Sequence, residues 1–202
     1  MKIELKQGSL TDGDETVLVN ASNTNAQLGS GVSGAIRQAC GPRFQAEILE
    51  ALKAKHGGPM KPGALLVTNA GAHPRAKWVV HVAVMDYRGG FDAGSFPSLD
   101  LIRTSCERLW DAVDALPGGP HSVAMVALGA GTGNLGVAEP TRVAAETLKA
   151  HLAIHTASRI ERVAFYGFLI HEYLAMAHVL VKVFPELRAT LPADVQKQLT
   201  HP

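Results

Sequence analysis

The chain has 202 residues, 47% of them hydrophobic, and a formal net charge of +1. That length suits one domain with a sizeable core, and the Lys and Arg residues are scattered rather than clustered, so general nucleic-acid binding is not expected. No apolar run has the length of a membrane span, the Met1-Lys-Ile-Glu-Leu-Lys6 start is strand-like rather than signal-like, and Cys40 and Cys106 make no CxxC or metal pattern; the expectation is reduced core cysteines and a cytoplasmic location.

Lys2–Gln7 alternates polar and apolar residues and reads as an edge-like strand, and Glu15–Asn20 reads as a more buried one. A polar loop through Ser22–Ser30 leads into a helix over Gly31–Cys40, and a second helix follows over Phe44–Lys55. Ala64–Asn69 and Trp78–Val84 are apolar, β-branched runs and read as strands. Tyr87–Ser98 reads as a mobile surface loop, and Leu99–Leu116 as a helix stopped by Pro117-Gly-Gly-Pro120. The remainder alternates as a strand at Ser122–Leu128, a helix at Glu139–His155, a strand at Arg162–Tyr166 and a helix at His171–Phe184. Residues 1–185 are expected to form the domain and 186–202 a peripheral helix and tail. Strands alternating with helices imply a mixed, mostly parallel sheet covered on both faces, with ligand at the carboxyl ends of the strands.

Two glycine-rich loops leave strands at that end and open helices. Gly29, Gly31 and Gly34 have the spacing G-x-G-x-x-G, and so do Gly131, Gly133 and Gly136. Glycine allows close backbone approach, and a helix start presents unpaired N–H groups, so one such loop suggests a phosphate site. Two in one small domain suggest a diphosphate held from both sides. Asn20 and Asn23 stand just ahead of the first loop, and a carboxamide there both donates to and accepts from a ribose hydroxyl. The alternative for either Asn is a local tie to its own loop.

A dinucleotide-binding Rossmann oxidoreductase is the alternative reading. It lacks the carboxylate that would hold a ribose after the strand ending Phe165-Tyr-Gly-Phe168, and a long polar segment separates Asn20 from Gly29. His151 and His155 are spaced i, i+4, but Leu152 stands where a zinc protease carries Glu, and His171-Glu172 begins a motif that fails at Ala175. No third ligand is evident, so no metal and no cofactor are expected. His81 reads as a satisfied core histidine. No G-x-S-x-G elbow or other nucleophile is apparent, which points to binding, or to hydrolysis by a positioned water.

Val19-Asn-Ala-Ser-Asn23, Leu28-Gly-Ser-Gly-Val-Ser-Gly-Ala-Ile-Arg37 and Gly41 together resemble the signature of macro domains. Lys61-Pro-Gly-Ala-Leu-Leu-Val-Thr68, Ala76-Lys-Trp-Val-Val-His81, Gly129-Ala-Gly-Thr-Gly-Asn-Leu-Gly136 and Val163-Ala-Phe-Tyr-Gly-Phe168 continue the resemblance in order, from about Lys2 to Phe184. The resemblance implies a three-layer α/β/α sandwich with a mixed sheet of about six strands. It also implies a cleft for ADP-ribose or an ADP-ribosylated protein or metabolite. Some members hydrolyse ADP-ribosyl esters or related ADP-ribose metabolites, and whether this chain does so stays open. Carried over by position, Gly29, Ser30, Gly31, Val32 and Ser33 would face Gly129, Ala130, Gly131, Thr132, Gly133 and Asn134 across the diphosphate. Asn23 would face the distal ribose as the candidate catalytic residue, supported by Asn20, and Phe168 or Tyr173 would pack against the adenine. Ser9 stands where many members carry the Asp that receives the adenine amino group, with Asp12 and Asp14 nearby as substitutes. Ser33 stands where the hydrolytic branch carries the Asp that orients water.

Overall fold

Six strands and six α-helices alternate along the chain in a computed structural model that describes residues 1–199. The strands are β1 (Lys2–Gln7), β2 (Val17–Asn23), β3 (Leu65–Asn69), β4 (Trp78–Met85), β5 (His121–Met125) and β6 (Ile160–Gly167). The helices are α1 (Gly31–Cys40), α2 (Phe44–His56), α3 (Leu99–Asp114), α4 (Ala138–Ile154), α5 (Ile170–Val183) and α6 (Ala193–Gln198). The strands form one sheet in the order β1-β6-β5-β2-β4-β3. Every pairing is parallel except β3 against β4. Helices α1 and α2 neighbour each other beside β2 and β3, while α3, α4 and α5 pack in succession. The expected three-layer α/β/α sandwich with its mixed, mostly parallel sheet is therefore the observed fold.

Burial follows from position in the sheet. In β4, an interior strand, Val79 to Met85 are all buried, as a strand covered on both faces requires. β1 lies at the edge and carries Lys2, Glu4 and Lys6 in ion pairs with one another. α3 is a stripe of Ile102, Cys106, Leu109, Trp110 and Val113, started by the Ser98 side chain, which accepts the Leu101 N–H. Each such large side chain contributes roughly 1.5–3 kcal/mol by leaving water. The Trp110 indole N–H finds its acceptor in Thr147 Oγ1 of α4, at 3.0 Å. Cys40 and Cys106 are both free and buried, and burial pushes each thiol up to about 12, so both act as core residues.

Three segments differ from the sequence expectation. β2 runs on to Asn23 because its polar end keeps pairing with β4, with a register shift between Ser22 and Asn23. The 87–98 loop is folded rather than loose: Asp92 and Ser95 cap a short 3-10 turn, and the rings of Tyr87, Phe91 and Phe96 meet edge-on. From the C-terminal segment, Leu187, Leu191 and Val195 are buried within the core. Residues 200–202 of the expected tail lie outside the described residues.

Candidate functional site

A cleft of about 550 Å³ opens at the carboxyl ends of β2, β5 and β6. Its walls include Gly29, Ser30, Gly31, Val32 and Ser33 from the first loop and Gly129, Ala130, Gly131, Thr132 and Gly133 from the second. Asn23, Tyr87, Tyr166, Phe168 and Glu172 complete much of the rest. Glu172 is the only charged residue among the lining residues, so an anion in this cleft meets no lysine or arginine.

The cleft is lined by main-chain N–H groups rather than by cations. The Ser30 side chain makes no capping bond at the start of α1. Among the described residues, the N–H groups of Gly29 through Ser33 have no protein acceptor. In the second loop, Ala130, Asn134 and Leu135 donate to Ala127, Gly131 and Gly129, closing a tight turn. The N–H groups of Gly131, Thr132 and Gly133 are left without a protein acceptor among the described residues. Two runs of unpaired donors thus line one cleft, one of them at a helix N-terminus where the dipole favours negative charge.

The glycines have different reasons to be there. A Cβ on Gly133 would lie 2.5 Å from Gly129 O and 2.9 Å from Pro97 Cγ, so the loop closes only over a glycine. Gly31 has φ +58, a region side chains rarely adopt. Gly29 and Gly131 meet nothing within 4 Å and have ordinary backbone, so they leave open space at the cleft.

The two asparagines part company. Asn20 does not line the cleft: it is wholly buried on β2, in register with His81 of β4. Its Oδ1 accepts the Ser33 hydroxyl at 2.9 Å, and its Nδ2 donates to His81 Nδ1 at 3.1 Å. His81 Nε2 stands 3.2 Å from Thr68 Oγ1 and donates to it, because Nδ1 is already the acceptor. Burial drives the His81 imidazole down to about 3, so it is neutral, as that tautomer requires. Asn23 lines the cleft but also ties its own loop. Its Oδ1 accepts the N–H groups of Asn25 and Gln27 at 3.1 and 3.2 Å, and its Nδ2 donates to Gln27 O at 2.9 Å. One Nδ2 hydrogen is left over.

At the other end Gly8 N–H donates to Gly167 O, which brings Ser9 beside the chain leading to Phe168. Ser9 lines the cleft with its hydroxyl 2.8 Å from that of Thr11. Phe168 is 66% exposed at the rim, whereas Tyr173 is buried in the core. Neither Asp12 nor Asp14 lines the cleft; Asp14 is paired with Arg162 at 2.9 Å, which holds its carboxyl below the ordinary carboxylate range. Asn134 also lies off the cleft, and its left-handed backbone (φ 57) turns the second loop.

Sequence reasoning missed Tyr166, Tyr87 and Glu172. The Tyr166 hydroxyl donates to Glu15 Oε2 at 2.8 Å, and burial with that carboxylate pushes it up to about 12. Glu15 in turn accepts Lys6 at 2.7 Å. A Cβ on Gly13 would run into both the Glu15 carboxylate and the Tyr166 hydroxyl, which explains the glycine there. Glu172 Oε2 accepts the Leu169 N–H at 3.0 Å as α5 begins, and its position after a sheet-end aromatic was the available signal.

The family model of the macro domain matches residues 19–144. The O-acetyl-ADP-ribose deacetylase of Cronobacter turicensis is 33% identical over 153 residues, 75% of this chain and 81% of that protein. A macro domain-containing protein of Streptomyces griseus is 29% identical over 180 residues, 88% of this chain and 94% of its own. In fold, the chain is similar to the Oceanobacillus iheyensis macrodomain with ADP (TM-score 0.74, 19% identity, 91% of this chain and 92% of that one). It is also similar to the Trypanosoma brucei macrodomain in complex with ADP-ribose (TM-score 0.71, 22% identity, 86% of this chain and 67% of that one). None of these comparisons supports the Rossmann oxidoreductase alternative, and a sheet ending in antiparallel β3 is not the doubly wound order that alternative needs.

Proposed function

The chain belongs to the macro domain family, and on that premise we propose that its cleft binds ADP-ribose or an ADP-ribosyl group carried by a protein or metabolite. The observation that carries this reading is the pair of facing runs of unpaired N–H groups, Gly29–Ser33 and Gly131–Gly133, in a cleft with no basic residue. A diphosphate offers acceptor oxygens to both runs at once. The family relatives and the structures holding ADP and ADP-ribose support the same ligand class. In this reading the free Nδ2 hydrogen of Asn23 meets the distal ribose, and Ser9, Phe168 and Glu172 meet the adenine.

Calorimetric titration with ADP-ribose, with AMP and NAD as controls, tests it. One-to-one binding that favours ADP-ribose over both controls is the expected result. Binding of NAD in preference to ADP-ribose, or of neither, overturns it.

A second reading is hydrolysis of ADP-ribosyl esters, favoured by likeness to proteins named O-acetyl-ADP-ribose deacetylase. A water would attack the acyl carbon, the bond from that carbon to the ribose oxygen would break, and the ribose oxygen would regain a proton. Ser33 is no base for this step, since its hydroxyl is engaged with Asn20, and the only carboxylate among the lining residues is Glu172 on α5. The proton acceptor therefore falls to the substrate's own diphosphate, held beside Asn23. Turnover of an O-acyl-ADP-ribose that stops when the diphosphate is absent from the substrate checks this reading.

A further inference from the structure

At the far end of the sheet from the cleft, the C-termini of α3 and α4 bring together Asp111, His151 and His155. His151 lies thirteen residues into α4 from Ala138, about 20 Å along the helix at 1.5 Å per residue. Asp111 Oδ1 is 3.3 Å from His151 Nδ1 and 3.8 Å from His155 Nε2, and the three ligand atoms all lie within 4.8 Å of one another. A tetrahedral metal with bonds of about 2.0–2.2 Å sets its ligand atoms roughly 3.3–3.6 Å apart, so the three atoms are near that spacing and a rotation of the exposed His155 ring would complete the geometry. No other group of three His, Cys, Asp or Glu residues among the described residues comes together in this way.

The surroundings are those of a metal-ligating histidine. His151 is nearly buried, and its other ring nitrogen, Nε2, donates to Asp114 Oδ2 at 2.6 Å. Asp114 is itself fixed, with Oδ1 accepting the Ser158 hydroxyl at 2.9 Å and the Arg159 N–H at 2.8 Å. That carboxylate keeps the His151 proton on Nε2 and leaves the Nδ1 lone pair facing Asp111 and His155, the outer-shell arrangement that orients a metal ligand. The two imidazoles stack with centroids 4.2 Å apart, so the exposed His155 ring swings out of the stack for both in-plane lone pairs to meet one ion. Asp111 and His155 are half-exposed or more, so water has access to a fourth position. Two helix C-termini add negative dipole ends that favour a cation.

We propose that Asp111, His151 and His155 form a divalent transition-metal site of the zinc type that clamps α3 to α4, with Asp114 as the positioning residue of His151. The sequence offers no third ligand beside the His151 and His155 pair and so no metal is expected from it; the third ligand of this proposal, Asp111, comes from a helix distant in sequence. Two imidazoles and one carboxylate suit zinc and the neighbouring late transition metals rather than magnesium or calcium.

The test is titration of the chelator-stripped protein with Zn²⁺, followed by calorimetry and by thermal melting. The expected result is one saturable equivalent per chain and a raised melting temperature at saturation. His155→Ala and Asp111→Asn, both at exposed positions, should each weaken binding tenfold or more and abolish the melting shift, with the metal-free melting temperature unchanged. His178→Ala, an exposed histidine on α5 outside the cluster, should bind as the parent does. Absence of saturable binding overturns the proposal, and so does binding that survives both His155→Ala and Asp111→Asn.

Discussion

Ser33 donates its hydroxyl proton to Asn20 Oδ1 across 2.9 Å, which ties the first turn of α1 to the middle of the sheet. From Asn20 the chain of bonds continues to His81 and Thr68, so the first glycine loop rests on a buried polar ladder spanning β2, β4 and β3. A loop with a run of unpaired N–H groups needs such support, and Gln45 adds to it by accepting the Leu28 N–H at 2.7 Å.

Asn20→Leu therefore has two consequences. It removes the acceptor of Ser33 and the donor to His81 Nδ1, leaving buried polar atoms unsatisfied at a cost of about 2–4 kcal/mol in total. Urea denaturation should show that loss with an unchanged slope. Affinity for ADP-ribose should fall as well, although Asn20 does not line the cleft. A variant as stable as the parent would mean the ladder contributes nothing net.

The same ladder predicts a dependence on pH. Burial holds His81 down to about 3, whereas in the unfolded chain it titrates near 6.5. Between those values the unfolded chain binds one proton more than the folded one, so stability falls as pH falls, by up to about 1.4 kcal/mol per pH unit from this group. Above about pH 6.5 the contribution is flat. His81→Gln keeps an acceptor for Asn20 and a donor for Thr68 but cannot titrate. The difference in unfolding free energy between parent and variant should narrow steadily from pH 6.5 to 5, and a constant difference would refute the assignment.

Two glycines in one loop should respond in opposite ways. Gly131 lines the cleft and meets nothing within 4 Å, so Gly131→Leu should leave the melting temperature nearly unchanged and weaken ADP-ribose binding more than tenfold. Gly133 is packed against Gly129 and Pro97, so Gly133→Ala should lower stability by roughly 1–3 kcal/mol through overpacking. Thermal melting with and without ADP-ribose separates the two effects. Equal behaviour of the pair would mean that the loop does not divide into a ligand-facing and a packed glycine.

The sequence made the loops legible because glycine spacing at a strand-to-helix junction reports directly on local backbone. The strands were legible from their apolar runs, and β4 declares its burial by having no polar break except His81. Asn20 was harder to read. A carboxamide near a strand end looks the same whether it faces a ligand or the sheet interior, and only pairing with β4 in register with His81 decides between them. The register shift at Ser22 and Asn23 then turns the second Asn toward the cleft. Tyr87 and the Asp111 side of the histidine cluster depend on contacts between distant segments, which no local pattern encodes, whereas Glu172 had a local signal in its place just after Phe168 at the sheet end. Asn134 stands outside the cleft lining, and its left-handed backbone (φ 57) is a feature of the turn that residue spacing alone does not reveal.

The adenine contact proposed for Ser9, Phe168 and Glu172 provides the most specific expectation. Ser9 carries no charge, and Glu172 is the sole carboxylate among the residues lining the cleft, with one oxygen on the Leu169 N–H and the other without a partner among the described residues. That second oxygen suits the exocyclic amine of adenine, a bond to a charged acceptor worth more than one to a hydroxyl. Glu172→Gln keeps an oxygen for Leu169 but removes the charge. It should weaken ADP-ribose about tenfold, or ~1.4 kcal/mol, and leave the hypoxanthine analogue, which lacks the amine, bound as before. Calorimetry on both ligands reads this as a loss of base selectivity. If the two affinities instead rise together in the variant, Glu172 faces the diphosphate and repels it, and the adenine lies elsewhere.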